Sequence, residues 1–382
     1  MKILYGVQGT GNGHITRARV MAKAFAERDI DVDYLFSGRP VDKYFDMEVF
    51  GNYRCFEGLT FVTEQGKVNT WKTAKNLHLW QLFKDIKSLD ISQYDLILTD
   101  FEPITAWAAT LHKKFNNSKE LTVKIQGANQ QLMVQAPPVI NISHQACFTF
   151  KSVPTTGSNW FHRQLLKHFV PADVNLGVHW YHFGETILPP FIEPIAAPIK
   201  HSDDSFILVY LPFEDLAEIV ELLNSQHDKN FVVFHPDVQE EKEFAAVKQC
   251  KLGREAFLTA LANCSGVIAN AGFELSSEAL TLGKKLLLKP LQGQFEQASN
   301  VLTLTDLGLA SSMEQLDEDA IEYWLQEVSN DPINYPSDPA PLIDWLLAGD
   351  YSKPNDLCEQ VWQSVSKMPF QRSQRNNYVP VF

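Results

Sequence analysis

Two stretches of the chain carry the residue types for group transfer. Near the N-terminus, Gly9-Thr10-Gly11-Asn12-Gly13-His14 ends a glycine-rich run in an imidazole. Glycine lets a backbone approach a ligand closely, and an imidazole can take up a proton near neutral pH. His14 therefore reads as a general base in a cleft loop, or as a helix-start histidine bonded to backbone. Asp100, in Asp100-Phe101-Glu102-Pro103, is a carboxylate that would orient and charge-stabilise such a base. It would equally cap a helix starting at Pro103. Late in the chain comes Asn270-Ala271-Gly272-Phe273, then Glu278, then Gln292, Gln294, Glu296, Gln297 and Asn300 in close succession. Unpaired amides at a helix start suit an anion such as a diphosphate. A carboxylate one turn in can accept two hydrogen bonds from a sugar diol. Taken alone, that stretch is also an ordinary βαβ unit with a polar loop.

The surrounding pattern says what positions these groups. Met1–Val7 reads as a strand, Ile15–Arg28 as a helix and Asp31–Phe36 as a second strand, so the chain opens as βαβ. A strand over Tyr94–Thr99 puts Asp100 at its C-terminal end. In an α/β sheet that end lies on the same edge as the glycine loop. Further strands are expected at Leu121–Gln126, with the amides of Gly127–Gln131 in its loop, and at Ala146–Phe150. The four prolines of 187–205 mark a linker. A second alternation follows: strands Phe206–Leu211, Asn230–Phe234, Gly266–Ala269 and Lys285–Leu291, with helices Phe213–Leu223, Ala256–Asn263 and Glu274–Leu282. Gly283 is placed to stop the last of these. Asn355–Lys367 reads as a final helix and 371–382 as a tail. The expectation is two α/β domains facing across a cleft, over 1–186 and 206–350, with the helix within 355–368 returning to the first.

Composition excludes several classes. The chain has 382 residues, 45% hydrophobic and 21% charged, which fits two globular domains. No apolar run approaches the roughly 20 residues of a membrane span, and no signal peptide is legible at the N-terminus. Five cysteines without a CxxC pair argue against a zinc site or a disulfide framework and for a reducing, cytoplasmic setting. A formal charge of −13 argues against nonspecific nucleic-acid binding. His14 stands where a dinucleotide fingerprint has its third glycine, and the second strand ends in Phe36-Ser37-Gly38-Arg39 without the acidic ribose partner. Arg39 would suit only a 2′-phosphate. Asp31-Val32-Asp33, a DxD, opens a strand and reads as structural. Trp71, Ala74, Leu77, Trp80, Phe83, Ile86 and Leu89 share a helical stripe, with Lys72, Lys75, Lys84 and Lys87 off it. Such a helix packs on the sheet with a solvated face, or lies on a membrane surface. Asn159–Phe169 repeats the mixture.

With these pieces in place, the chain resembles the GT-B glycosyltransferases. It is similar to a subfamily with a GxGHxTR-like loop, here Gly11-Asn12-Gly13-His14-Ile15-Thr16-Arg17, and an EQxxN segment, here Glu296-Gln297-Ala298-Ser299-Asn300. It also looks like the UDP-sugar transferases related to the lipid II-forming N-acetylglucosaminyltransferase. The resemblance implies an inverting, metal-independent transferase that uses a nucleotide sugar, expected to be a UDP-sugar, as co-substrate and needs no further cofactor. It implies donor contacts at Gly272, Phe273, Glu278, Gln292, Glu296 and Gln297, support from Asn300, and a base-binding segment over Gly253–Phe257 that includes Arg254. It makes His14 the base and places Gly9, Thr10, Gly11, Asn12, Gly13 and Arg17 on the acceptor side. The acceptor would be a glycan, a lipid or a small molecule, with peripheral membrane contact in the lipid case. Two departures stand out: Asn270-Ala271-Gly272 replaces His-Gly-Gly, and Leu211-Pro212-Phe213-Glu214 replaces a Gly/Ser-rich loop. A nucleotide-sugar epimerase using Asp100 and Glu102, or a silent nucleotide-sugar sensor, are the alternatives.

Overall fold

The computed structural model describes residues 1–59, 63–64, 67–68, 78–116, 120–125, 128–133, 136–156, 160–195, 206–226 and 229–366. Trp71–Leu77, 196–205 of the expected linker, and the 371–382 tail lie outside them.

The first half builds a seven-stranded sheet. Its strands are β1 (Lys2–Gln8), β2 (Asp31–Ser37), β3 (Tyr53–Phe56), β4 (Leu96–Asp100), β5 (Val139–Ser143), β6 (Val174–Val178) and β7 (Ile187–Leu188), in the order β7-β6-β5-β4-β1-β2-β3. Every pairing is parallel. The central strands are apolar on both faces, as a sheet covered by helices on both sides requires. Ile3, Leu4, Tyr5 and Val7 are all buried. The helices of this half are α1 (Asn12–Glu27), α2 (Leu79–Ser88), α3 (Pro103–Asn116), α4 (His144–Cys147) and α5 (Trp160–Phe169).

The second half repeats the plan with β8 (Phe206–Tyr210), β9 (Asn230–Phe234), β10 (Lys242–Phe244), β11 (Val247–Cys250), β12 (Gly266–Asn270), β13 (Lys285–Lys289) and β14 (Ser311–Ser312). Their order is β10-β11-β9-β8-β12-β13-β14, and only the edge strand β10 runs antiparallel. Its helices are α6 (Leu216–Asn224), α7 (Arg254–Asn263), α8 (Phe273–Thr281), α9 (Phe295–Asp306) and α10 (Glu318–Leu325), followed by α11 (Ala340–Ala348) and α12 (Pro354–Trp362). One buried cluster runs from Ile3, Tyr5 and Val7 through Phe273 to Leu208, Val267 and Leu288, so the two sheets share a core. In each sheet the strand order reverses beside the first strand: between β1 and β4, and between β8 and β12. Ligands bind at such switch points in open α/β sheets.

Several sequence expectations are corrected. The segment expected as a strand at Ala146–Phe150 instead holds α4 and a turn. Ser143 ends β5 and its hydroxyl accepts a hydrogen bond from the Ala146 N–H at 3.2 Å, so the chain turns into a helix one residue later. The strand near 121–126 exists as Glu120–Ile125, but it pairs antiparallel with Ala128–Met133 in a separate hairpin, which puts Asn129–Gln131 in a strand rather than a cleft loop. Ile187 and Leu188, expected in the linker, are fully buried and add β7 to the first sheet. Residues 340–348, expected in the second domain, form α11, which packs on α1 and places Asp344 3.7 Å from Arg28. The last helix, α12, crosses to the first sheet, where Trp362 Nε1 donates to the Ile187 carbonyl at 2.7 Å. On α2 the packed stripe is Leu82, Ile86 and Leu89. Trp80 and Phe83 turn outward, 83% and 43% exposed, because the helix docks through a stripe rotated from the most aromatic one. No helix among the described residues is long and apolar enough to cross a membrane.

Candidate active site

His14 and Asp100 meet because β1 and β4 are neighbours. Val7 and Asp100 are in register, and the chain from β1 enters α1 directly over the end of β4. The imidazole Nδ1 lies 2.7 Å from Asp100 Oδ1. Arg17, one turn along α1, clamps the same carboxylate through Nε at 2.7 Å and Nη2 at 2.8 Å. Burial alone would raise the Asp100 carboxyl, but Arg17 and His14 hold it below the ordinary carboxylate range. An ionised carboxylate only accepts, so Nδ1 carries the proton and Nε2 is the basic nitrogen. Asp100 does not cap α3, the second role its sequence position allowed. Glu102 does so, accepting from the N–H groups of Ile104 at 2.9 Å and Thr105 at 2.8 Å. Phe101, between the two carboxylates, sits at φ 56, a left-handed conformation uncommon for a large side chain. It turns the chain so that Asp100 faces the cleft and Glu102 the helix.

The glycines of the loop have separate roles. A side chain at Gly13 would put its Cβ 2.8 Å from Glu274 Cγ, so glycine there lets α1 and α8 come together. A Cβ at Gly9 would strike the Tyr44 hydroxyl. Thr10 and Gly11 lie at the loop crest. Arg39 folds back onto the loop, donating to the Gly9 carbonyl and to Asn12 Oδ1. Its guanidinium is therefore engaged by protein, which removes the 2′-phosphate reading. Asp31 and Asp33 begin β2 at the edge away from the cleft and face Lys2 at 3.9 and 3.5 Å.

The opposite wall is the start of α8 and the loop into α9. Arg17 reaches across to Glu274 Oε1 at 2.5 Å. One guanidinium thus serves two carboxylates, and Asp100 takes the larger share. Burial, Glu278, Asp100 and Glu296 lift Glu274 to about 8 despite Arg17. Glu278 is lifted to about 7 by burial, with Arg254 opposing and Glu193 adding. Its carboxyl takes no hydrogen bond from a described residue. Arg254 begins α7 and pairs with Glu193, which also holds Lys23. Gly272 precedes α8 with no side-chain cap, so its first-turn N–H groups remain available.

The structure brings Glu296 to the same Gln145 amide as His14 and turns some expected donor residues elsewhere. Gln145 Nε2 donates to Glu296 Oε2 at 2.8 Å and approaches His14 Nε2 at 3.3 Å. Its own Oε1 is buried without a partner among the described residues. Gln297 Oε1 accepts from the Leu291 N–H at 2.7 Å and shapes its own turn. Gln292 is exposed at the loop tip. The Phe273 ring does not face a phosphate: it stacks on His144 at 4.0 Å and lies 4.8 Å from Trp180, which leaves only its backbone to the cleft. Asn300 donates to the Ala271 carbonyl at 2.9 Å and accepts from His144 Nε2 at 2.7 Å, tying the Asn270–Gly272 turn to the first domain. Gln145, His144, Glu274 and Arg17's double engagement escaped sequence reasoning. The only available signal was Ser143 as a helix cap, which would have placed His144 and Gln145 at a strand's C-terminal end.

A family model described as glycosyl transferase family 1 matches residues 1–329, and the chain belongs to that family. It is a GT-B glycosyltransferase in architecture. The glycotransferase of kitacinnamycin superposes with a TM-score of 0.57 at 14% identity, over 93% of this chain and 95% of that one. The calicheamicin glycosyltransferase CalG4 gives 0.54 at 12%, over 98% and 97%. MurG of Acinetobacter baumannii gives 0.51 at 14%, over 91% and 100%. At these identities the likeness is one of fold. No curated protein matches the sequence.

Proposed function

We propose that this glycosyltransferase moves a sugar from a nucleoside diphosphate sugar, with a UDP-sugar as the expected donor, to an acceptor hydroxyl, inverting the anomeric centre without a metal. The His14–Asp100 pair carries the reading, because it leaves Nε2 as the basic nitrogen, facing the Gln145 amide that donates to Glu296. An acceptor hydroxyl that takes the place of the Gln145 amide gives its proton to Nε2 as its oxygen bonds the anomeric carbon. The bond from that carbon to the phosphate oxygen breaks, and its electron pair leaves on the diphosphate. The open N–H groups and dipole of α8 favour that charge. Glu278 would take the ribose diol, whose donated hydrogen bonds would favour the ionised carboxylate. The direct contacts between the walls, Arg17 to Glu274 and Gln145 to Glu296, must part to admit substrates, a domain motion of the kind that often limits turnover.

The outward Leu79, Trp80 and Phe83 with Lys84 and Lys87 support an acceptor presented at an anionic lipid surface. Sedimentation with anionic liposomes at low salt should carry the protein down. Protein left in the supernatant would remove the lipid acceptor and keep the transferase.

The principal test is thermal unfolding with a panel of UDP-, GDP- and TDP-sugars, where a cognate donor raises Tm. No shift with any of them sinks the donor reading. His14→Ala should keep that shift and lose turnover by about 10²–10⁴-fold. A wild-type protein that binds a donor and turns over none, with a full acceptor panel, would be a sensor. An epimerase is disfavoured because Glu102 is committed to capping α3.

A further inference from the structure

Lys285 and Lys289 lie four residues apart on β13 and so on the same face of the sheet. Their ammonium groups are used differently. Lys285 Nζ donates to three main-chain carbonyls, Trp324 at 3.1 Å, Leu325 at 2.8 Å and Glu327 at 3.0 Å, which places all three of its protons. Lys289 Nζ has one partner among the described residues, Glu214 Oε1 at 2.6 Å. Both side chains of that pair are about nine-tenths buried. Two of its N–H donors have no acceptor among the described residues.

The place of this pair in the sheet matters. Glu214 lies in the turn after β8, and Lys289 ends β13. Strand β12 runs between β8 and β13, so the pair bridges the C-terminal end of β12, where the chain turns through Asn270–Gly272 into α8. This is the second sheet's switch point. Asn270 donates to the Lys289 carbonyl at 2.9 Å and keeps its own Oδ1 buried and unpartnered among the described residues. The Glu214 backbone is pinned by His235 Nε2, which donates to its carbonyl at 3.1 Å, while His235 Nδ1 accepts from the Asp237 N–H. The turn that replaces a Gly/Ser-rich loop thus carries an acid, and the acid is neutralised by a lysine from the neighbouring strand.

A buried ion pair gains little net stability, because desolvation offsets its attraction. We propose that Lys289 is the counter-ion of the donor's diphosphate, and that Glu214 holds the ammonium in place until the diphosphate arrives and competes with it afterwards. The proposal rests on the nucleoside diphosphate donor proposed above. In the loaded state the ammonium faces two phosphate groups with its free donors. Glu214 then stands near an anion, weakens nucleoside diphosphate binding and favours release of the product.

The two partners must act with opposite sign, which separates the proposal from damage to the fold. Titration calorimetry on the full chain would use UDP, the other nucleoside diphosphates and inorganic pyrophosphate. Glu214→Gln should bind both pyrophosphate and the cognate nucleotide about tenfold tighter than wild type, and Lys289→Met about tenfold weaker. The double variant should match Lys289→Met. If a nucleoside diphosphate binds wild type and both single variants equally, the diphosphate sits elsewhere: this proposal falls and the transferase reading stands. If Glu214→Gln weakens binding, the proposal also falls. If neither pyrophosphate nor any nucleoside diphosphate binds any of the proteins, the donor reading fails and takes the proposal with it.

Discussion

The two walls of the cleft solve different electrostatic problems. On the first-domain wall each charge has a partner. Asp100 receives His14 and two nitrogens of Arg17, and Glu102 receives two backbone amides and two hydroxyls. On the second-domain wall Glu274 holds only part of Arg17, Glu278 has no hydrogen-bond donor among the described residues, and Lys289 has one acceptor. The first wall is organised in the protein alone, as the proposed base requires. The second keeps unspent hydrogen-bonding capacity, which is what a surface awaiting a charged, hydroxyl-rich ligand requires.

Breaking the ordered wall should cost most. Asp100→Ala leaves Arg17 buried with one carboxylate fewer and frees His14 to rotate. It should lower unfolding stability by about 3–5 kcal/mol in urea, and any activity that remains should be far below wild type. A loss under 1 kcal/mol would mean that Arg17 finds solvent and the wall is not organised as described.

The walls should also answer pH in opposite directions. Asp100 has a lowered carboxyl, so its contribution is present above the ordinary value of 3.8 and is lost as pH falls through the folded value. Glu274 has a raised one. The folded state keeps its proton between 4.5 and about 8 while the unfolded chain has released it, so stability declines as pH rises across that window and levels off above it. Glu278, lifted to about 7, adds a decline of its own below that value. Glu274→Gln should therefore shrink the total fall, by an amount on the order of a few kcal/mol at the alkaline end. A variant whose fall equals that of wild type would assign the larger part of the titration to another group.

Gln145→Ala tests the contact between the walls. It uncovers His14 Nε2 and releases Glu296. His14 should then react faster with diethyl pyrocarbonate, by a few-fold, with stability lowered by about 1 kcal/mol. An unchanged rate would mean that the amide does not cover the base. The smallest effect belongs outside the cleft. Trp80→Ala should change stability by less than about 0.5 kcal/mol, since the ring is 83% exposed. A larger loss would show that α2 docks through its aromatic side.

Much of this could be read from residue order. The βα alternation placed the ends of β1, β4, β8, β12 and β13 within a residue or two, because apolar runs of five to seven residues between glycine and polar turns have few other structures. The glycine loop with His14, the carboxylate at Asp100 and the turn at Asn270–Gly272 all lie at strand C-terminal ends, and parallel order puts such ends on one edge. Helix faces were less legible. Of the stripe expected through Trp80, Phe83, Ile86 and Leu89, Ile86 and Leu89 are buried with Leu82 beside them, while Trp80 and Phe83 face outward. The Ala146–Phe150 segment looked like a strand because its aromatic and threonine residues favour extended structure, while the hydroxyl of Ser143 decided for a helix.

The sequence by itself determined two α/β halves and that His14, Asp100 and the Asn270–Gly272 turn follow strand C-terminal ends, because strand periodicity and turn residues act over short distances. Only the tertiary structure decided which charges share a neighbourhood. Arg17, Asp100 and Glu274 are brought together by strand order and domain contact, as are Gln145 with Glu296 and Glu214 with Lys289. Spacing along the chain does not encode those pairings. Burial then decides what each charge is worth, lifting Glu274 while Arg17 and His14 keep Asp100 low.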